Sequence, residues 1–267
     1  MAKMTPRGPR WTGKVRLVPD MLDLPKRWQR PRRIFVNSMS DLFHEGLSNQ
    51  EIKQVFDVML HPDCSHHTFQ ILTKRPARMK EFIMEYYGHP LNKGMLFNIW
   101  LGVSVEDMVT ANERIPHLIE TPAGRRFISA EPLLGPIELY GFLAPDACRC
   151  RRCRHAGSGA TFTVSTGGDD YDAQCPNCGA AESFLEDLAG LDWVIVGGES
   201  GPGARRMDIC WVRKIVEQCK AKGTPVFVKQ MGTAWASENR LTQAKGDLPD
   251  EWPEDIRVRQ FPTRGKN

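Results

Sequence analysis

Five of the eight cysteines fall in one short stretch, Cys148, Cys150 and Cys153 in "CRCRRC" and Cys175 and Cys178 in "CPNCG". Cys150-x2-Cys153 and Cys175-x2-Cys178 are separated by 21 residues, and each pair can turn two thiolates toward one ion. Four sulfurs at about 2.3 Å satisfy tetrahedral zinc and leave no open position, so the expected site is structural rather than catalytic. Its ligands are Cys150, Cys153, Cys175 and Cys178, with Cys148 as an alternative to Cys150. Between the pairs, "TFTVSTGGDDY" (161–171) alternates like strand and contains a Gly-Gly turn, the framework of a zinc ribbon. A disulfide staple or a redox dithiol competes with this reading, and both fit poorly with the reducing compartment expected below.

The second chemically suggestive set lies at the ends of apolar runs. "IFVNSM" (34–39), "FQILTK" (69–74), "IWLGVS" (99–104), "RFISAE" (126–131), "WVIVGGES" (193–200) and "PVFVKQ" (225–230) are continuously apolar, as strands buried on both faces are. Each run ends in polar groups, and Ser38, Asp41, Lys74, Glu106, Glu131, Glu199 and Lys229 are the candidate ligand-binding residues. Helix caps and solvated loops account for such residues in many proteins. Glu131 and Glu199 directly follow apolar strands, however, and a carboxylate there needs a nearby ammonium such as Lys74 or Lys229.

Helical patterns connect most of the runs. Ser48-Asn49-Gln50-Glu51 reads as a capping box before Ile52, Val55, Phe56 and Met59 on one face. Asp107 caps a segment reaching Leu118, and Asp208 one with Ile209, Val212, Ile215, Val216 and Cys219. Strand starts recur at about 30 residues, the length of one βα unit. The interval from Arg126 to Trp193 is about twice that, and removing the cysteine-rich stretch restores the period. The expected architecture is an α/β parallel (β/α) barrel, incomplete at the N-terminus, with an inserted zinc-ribbon-like module. Its parts are a basic, proline-rich lead-in (1–33), the first part of the barrel (34–143), the insertion (144–188), the last part of the barrel (189–235) and a C-terminal tail (236–267). In such a fold the strand ends share one face, where ligands bind.

With 41% hydrophobic residues the chain can bury a core. It has neither a run of about 18 apolar residues nor an apolar N-terminal h-region, so a membrane span and a signal peptide are not expected and the compartment reads as cytoplasmic. The formal net charge of +4 conceals a segment of +8 over residues 1–33. Such a segment can meet phosphate backbones, or it can be a solvated lead-in. The histidine-rich "HPDCSHH" around Cys64 has no fixed ligand spacing and reads as a polar loop. Cys210 and Cys219 read as small core residues.

Taken together, "RRIFVNSMSDLFHE", "HTFQILTKRPARM", "NIWLGVSVED", "RRFISAEPLLGPI", "LDWVIVGGESGPGARRMD" and "VFVKQMG" resemble the phage gene-product 37/68 family (domain of unknown function 5131) across roughly residues 25 to 235. Members look like distant relatives of radical S-adenosylmethionine enzymes with a parallel βα barrel. The resemblance implies S-adenosylmethionine and a [4Fe–4S] cluster held by a Cys-x6-Cys-x2-Cys motif, and a nucleic-acid or phage-related modification reaction. The chain departs from that motif, since no cysteine precedes Cys64. Either the true start lies upstream or the gene has lost its first βα unit. Gly197-Gly198-Glu199 matches the superfamily's Gly-Gly-Glu in letters but not in position, so the resemblance implies no role for it. The alternative readings are a zinc-ribbon nucleic-acid-binding protein without catalysis and an inactive remnant. Nucleic acid and a protein encoded nearby are the candidate partners.

Overall fold

The computed structural model describes residues 13–38, 40–88, 94–143, 175, 177–178 and 190–262 with side chains, and short strands within 2–11 and 147–187 by their backbone. The six apolar runs form strands β1 (Arg33–Val36), β2 (Thr68–Thr73), β3 (Ile99–Ser104), β4 (Arg125–Ala130), β5 (Trp193–Gly197) and β6 (Val226–Gln230). They lie in one sheet in the order β6-β5-β4-β3-β2-β1. The β1–β2 pair is parallel with Arg33 opposite Thr68, and β5 runs parallel to both β4 and β6. Sequential order without a switch point is the order of a βα barrel, not of a doubly wound sheet. The sheet is open, with β1 and β6 as its end strands. The fold is therefore α/β on six parallel strands.

Local chemistry sets the helix starts. α1 (Asn49–Met59) opens on the capping box, with Ser48 Oγ accepting from the Glu51 amide at 3.3 Å and the Glu51 carboxylate accepting from the Ser48 amide at 2.8 Å. α2 (Pro76–Tyr87) begins on proline, which has no N–H to leave unpaired. Asp107 caps α3 (Met108–Ile119) through the Thr110 amide at 2.8 Å. Asp208 caps α4 (Ile209–Lys222), which stops at Gly223 with φ 66°. The short α5 (Thr233–Glu238) follows β6. Between β4 and β5 no α-helix occurs among the described residues.

The chain forms two compact units, residues 1–102 with 121–124, and residues 103–120 with 125–267. In the first, Phe43, Phe56, Phe82 and Tyr87 meet with ring centroids 5.2 to 6.4 Å apart, joining the loop before α1 to α1 and α2. Burial pushes the Tyr87 hydroxyl up to about 12. In the second, Trp193 of β5 packs against Phe127 of β4, Phe227 of β6 and Phe261. Gln218 of α4 is buried and pins the segment after β4, donating to the Ile137 carbonyl and accepting from the Leu139 amide.

Several segments carry more structure than their composition suggests. Ala2–Thr5 pairs antiparallel with Gly8–Trp11. Residues 25–32 are clipped down by two imidazoles, with His66 Nε2 on the Trp28 carbonyl, His67 Nε2 on the Pro25 carbonyl and His67 Nδ1 accepting from the Arg32 amide. These contacts give the "HPDCSHH" histidines a packing role. In the tail, Trp252 is buried, Val228 donates to the Val258 carbonyl, Gln260 donates to the Val226 carbonyl, and Arg259 lies over the Phe227 and Trp252 rings. Residues 258–260 therefore cover the outer edge of β6. In the insertion, Ala147–Cys150 pairs antiparallel with Ala156–Ser158 and Leu185–Asp187, and Thr163–Ser165 with Tyr171–Ala173. Cys153 and the Gly-Gly turn lie outside the described residues. Among the described residues no helix is long and apolar enough to cross a membrane.

Candidate functional site

The second unit gathers polar side chains where β4, β5 and β6 end. Their parallel register sets Val196 opposite both Ala130 and Val228 and Gly197 opposite Gln230. Between Val196 and Gly197 the register slips, so β6 has one residue more than β5 at this point. In a regular strand Lys229 and Gln230 would point to opposite faces. Across this irregularity both reach the same carboxylate. Lys229 Nζ lies 3.0 Å from each oxygen of Glu131, and Gln230 Nε2 is 3.2 Å from Glu131 Oε1. Gln230 Nε2 also meets the Gly198 carbonyl at 3.0 Å and the Ser200 hydroxyl. Glu131 is 20% exposed and Lys229 51%, so the carboxylate is held in place while the ammonium faces water.

The backbone beside this cluster admits only glycine at two positions. A Cβ on Gly198 would strike the Met231 carbonyl, and one on Gly232, at φ 88°, would lie 2.8 Å from the Glu199 carbonyl oxygen. The two loops cross here, joined by Gly198 N–H to the Gln230 carbonyl and Thr233 N–H to the Glu199 carbonyl. Glu199 itself is taken up by Arg205, which donates from Nε at 2.7 Å, its backbone amide at 2.8 Å and Nη2 at 3.0 Å. That guanidinium holds the Glu199 carboxyl well down, at about 2. Glu199 thus closes its own loop.

Glu106, just past β3, forms an ion pair with Arg114 of α3. Arg114 Nη1 donates to Glu106 Oε2 at 2.9 Å and to the Ser104 carbonyl at 2.7 Å, and its Nε is buried with no partner among the described residues. The turn after Glu131 bridges neighbouring strand ends, with Leu133 N–H on the Gly197 carbonyl and Leu134 N–H on the Glu106 carbonyl.

The remaining candidates lie in the first unit. Asp41 accepts four hydrogen bonds, from Phe43 N–H and Thr73 Oγ1 on one oxygen and from Lys74 N–H and Arg75 Nη1 on the other. With both oxygens doubly engaged it is a brace between the loops after β1 and β2. Lys74 meets it through the backbone. Arg75 also grips Glu45 at 2.7 Å and holds that carboxyl down at about 2. Ser38 is exposed in the turn after β1, which Asn37 enters with φ 59°.

Of the seven strand-end candidates, then, Glu131 and Lys229 touch directly. Glu199, Glu106 and Asp41 each have a separate arginine partner, and the sequence reading left out Gln230, Arg205, Arg114 and Arg75. Gln230 and Arg75, adjacent to the candidates Lys229 and Lys74, had a signal that could have found them. Among the described residues no three His, Cys, Asp or Glu side chains are grouped as metal ligands. Cys64 is wholly buried, and burial pushes its thiol up. Cys175 is buried and Cys178 half-buried.

No curated protein and no solved structure matches the chain. A family model does match, from residue 2 to residue 256, almost the whole chain, and the protein belongs to that family, DUF5131, described as a protein of unknown function.

Proposed function

We propose that the protein binds a polar, negatively charged ligand at the ends of β4, β5 and β6, in the service of a nucleic-acid or phage-related modification reaction. The observation that carries this is the Glu131–Lys229–Gln230 constellation. Glu131 orients the half-exposed Lys229 ammonium through both its oxygens, and Gln230 and Ser200 stand beside it as further hydrogen-bonding groups. An ammonium fixed on one side and open to water on the other suits a phosphate or carboxylate. The test is a titration of the intact protein with adenosine monophosphate and with S-adenosylmethionine, followed by calorimetry and thermal shift. Saturable binding of the nucleotide, weakened at least tenfold in Lys229→Met with the fold intact, is expected. Flat titrations with both probes, or an undiminished response in Lys229→Met, refute the reading.

The family resemblance implies radical chemistry supplied by a [4Fe–4S] cluster and S-adenosylmethionine. The donor set does not fit the cluster. Cys64 is the single cysteine before residue 148, and its thiol is buried and disfavoured as a thiolate.

Zinc is the metal that suits Cys150, Cys153, Cys175 and Cys178, with Cys148 as the alternative to Cys150. Four thiolates in two Cys-x2-Cys pairs give a closed tetrahedral donor set, and a small insertion gains folding energy from the ion. Metal analysis is expected to find one zinc per chain, reduced in Cys175→Ser.

Nucleic-acid binding without catalysis is favoured by a different observation, the +8 charge of residues 1–33. Within that segment Arg32 lies 4.6 Å above the Trp28 ring. A steep loss of DNA or RNA binding with added salt supports it.

A further inference from the structure

The two ends of the sheet are finished differently. Residues 258–260 cover the edge of β6. Beside β1 lies an open cavity of about 600 Å³, contained within the first unit. Buried Leu42, Val58, Met59 and Phe69 form its floor, and half-buried Leu17 and Ile34 are among its walls. At the mouth, apolar side chains face water, with Met21 58% and Phe35 43% exposed. Among the described residues the polar lining is Arg16, Asn37 and Ser40, and Arg16 is the one that carries a charge. That guanidinium is exposed and has no ion pair or hydrogen bond among the described residues.

We infer that this cavity is a second binding site, separate from the polar cluster at the strand ends, and that it takes an elongated amphiphile with an apolar body and one anionic head, of the fatty-acid type. The volume is that of a small-molecule site, and such sites are mainly apolar with a few placed polar groups. The floor and walls offer an aliphatic body mainly apolar side chains to pack against, which favours transfer out of water. The head is fixed by charge complementarity. Arg16 is a planar donor suited to a carboxylate, and the Asn37 and Ser40 side chains supply neutral donors at the same mouth. A flat surface patch would lack the buried floor, and an apolar peptide would leave Arg16 unanswered.

The probes are dodecanoate, below its micellar concentration, and 1-dodecanol, which has the same chain without the charge. Calorimetry on the intact protein is expected to show saturable binding of one dodecanoate. Arg16→Glu, at an exposed position, should weaken dodecanoate about fivefold, the scale of one exposed ion pair, and leave dodecanol unchanged. Leu17→Trp, which narrows the cavity from one wall, should weaken both while circular dichroism remains that of the parent. Absence of saturable dodecanoate binding overturns the proposal. So does equal weakening of both probes by Arg16→Glu, or parental binding by Leu17→Trp, which would place the amphiphile elsewhere. Lys229→Met tests the strand-end site independently and should leave dodecanoate binding intact.

Discussion

Replacing Arg114 by methionine isolates the most buried ion pair of the strand-end region. Glu106 and Arg114 side chains are 12% and 14% exposed. The substitution deletes the 2.9 Å bond to Glu106 Oε2 and the 2.7 Å bond to the Ser104 carbonyl, and takes the guanidinium away from a carboxylate that is largely shielded from water. Removing one partner of a buried pair costs about 3–5 kcal/mol. Arg205 lies close enough to Glu106 for that carboxylate to raise its pKa, so some compensating charge remains. The expected loss is therefore about 2–4 kcal/mol. The double replacement Glu106→Leu with Arg114→Met removes both charges and should cost less than Arg114→Met alone, because no shielded carboxylate is left without its guanidinium. Urea denaturation at pH 7, followed by far-ultraviolet circular dichroism, measures both. An Arg114→Met variant within about 0.5 kcal/mol of the parent, the range of an ordinary surface substitution, would refute the claim that this pair is buried and coupled.

Three further outcomes follow from the geometry. Gly198→Ala forces a methyl group against the Met231 carbonyl where two loops cross, and should destabilise by about 1–3 kcal/mol in the same urea assay. Ser48→Ala removes the N-cap of α1 and should cost about 1 kcal/mol, read from the urea midpoint. Glu45 and Glu199 are held at about 2 by Arg75 and Arg205, below the ordinary glutamate value of about 4.3. Their contribution is full above that ordinary value and fades as pH falls from there toward 2, because the unfolded carboxyls take up protons first. Urea midpoints should therefore drop across that window, and the drop should be shallower in Glu45→Gln and Glu199→Gln. Slopes identical to the parent's would show that neither pair acts on folding.

Much of the framework was legible from short-range signals. All six strands fall on the apolar runs, and β3, buried along its whole length, must be apolar throughout, whereas β1 exposes Arg33 and Phe35. Ser48, Asp107 and Asp208 cap the helices they were expected to cap, because capping is satisfied within three residues of chain. The lysine–carboxylate need at the strand ends was also readable, and Glu131 and Lys229 do meet.

Residue type and spacing did not reveal which partner each polar group would take. Glu131 and Lys229 are 98 positions apart, and they meet through the register of three strands. Gln230 joins them because β5 and β6 slip by one residue, an irregularity with no one-letter signature. Glu199 resembled a ligand-binding carboxylate, but the turn that returns the chain to Arg205 satisfies it locally. Asp41 looked equally available until the loops after β1 and β2 closed around it. The apolar residues of 15–24 seemed part of a charged lead-in and instead form a wall of the cavity beside β1. Sequence alone thus determined the elements and the kinds of group at their ends, since periodicity and capping act over a few residues. Tertiary structure decided which of those groups are satisfied and which remain open to a ligand, because that depends on packing between segments far apart in the chain.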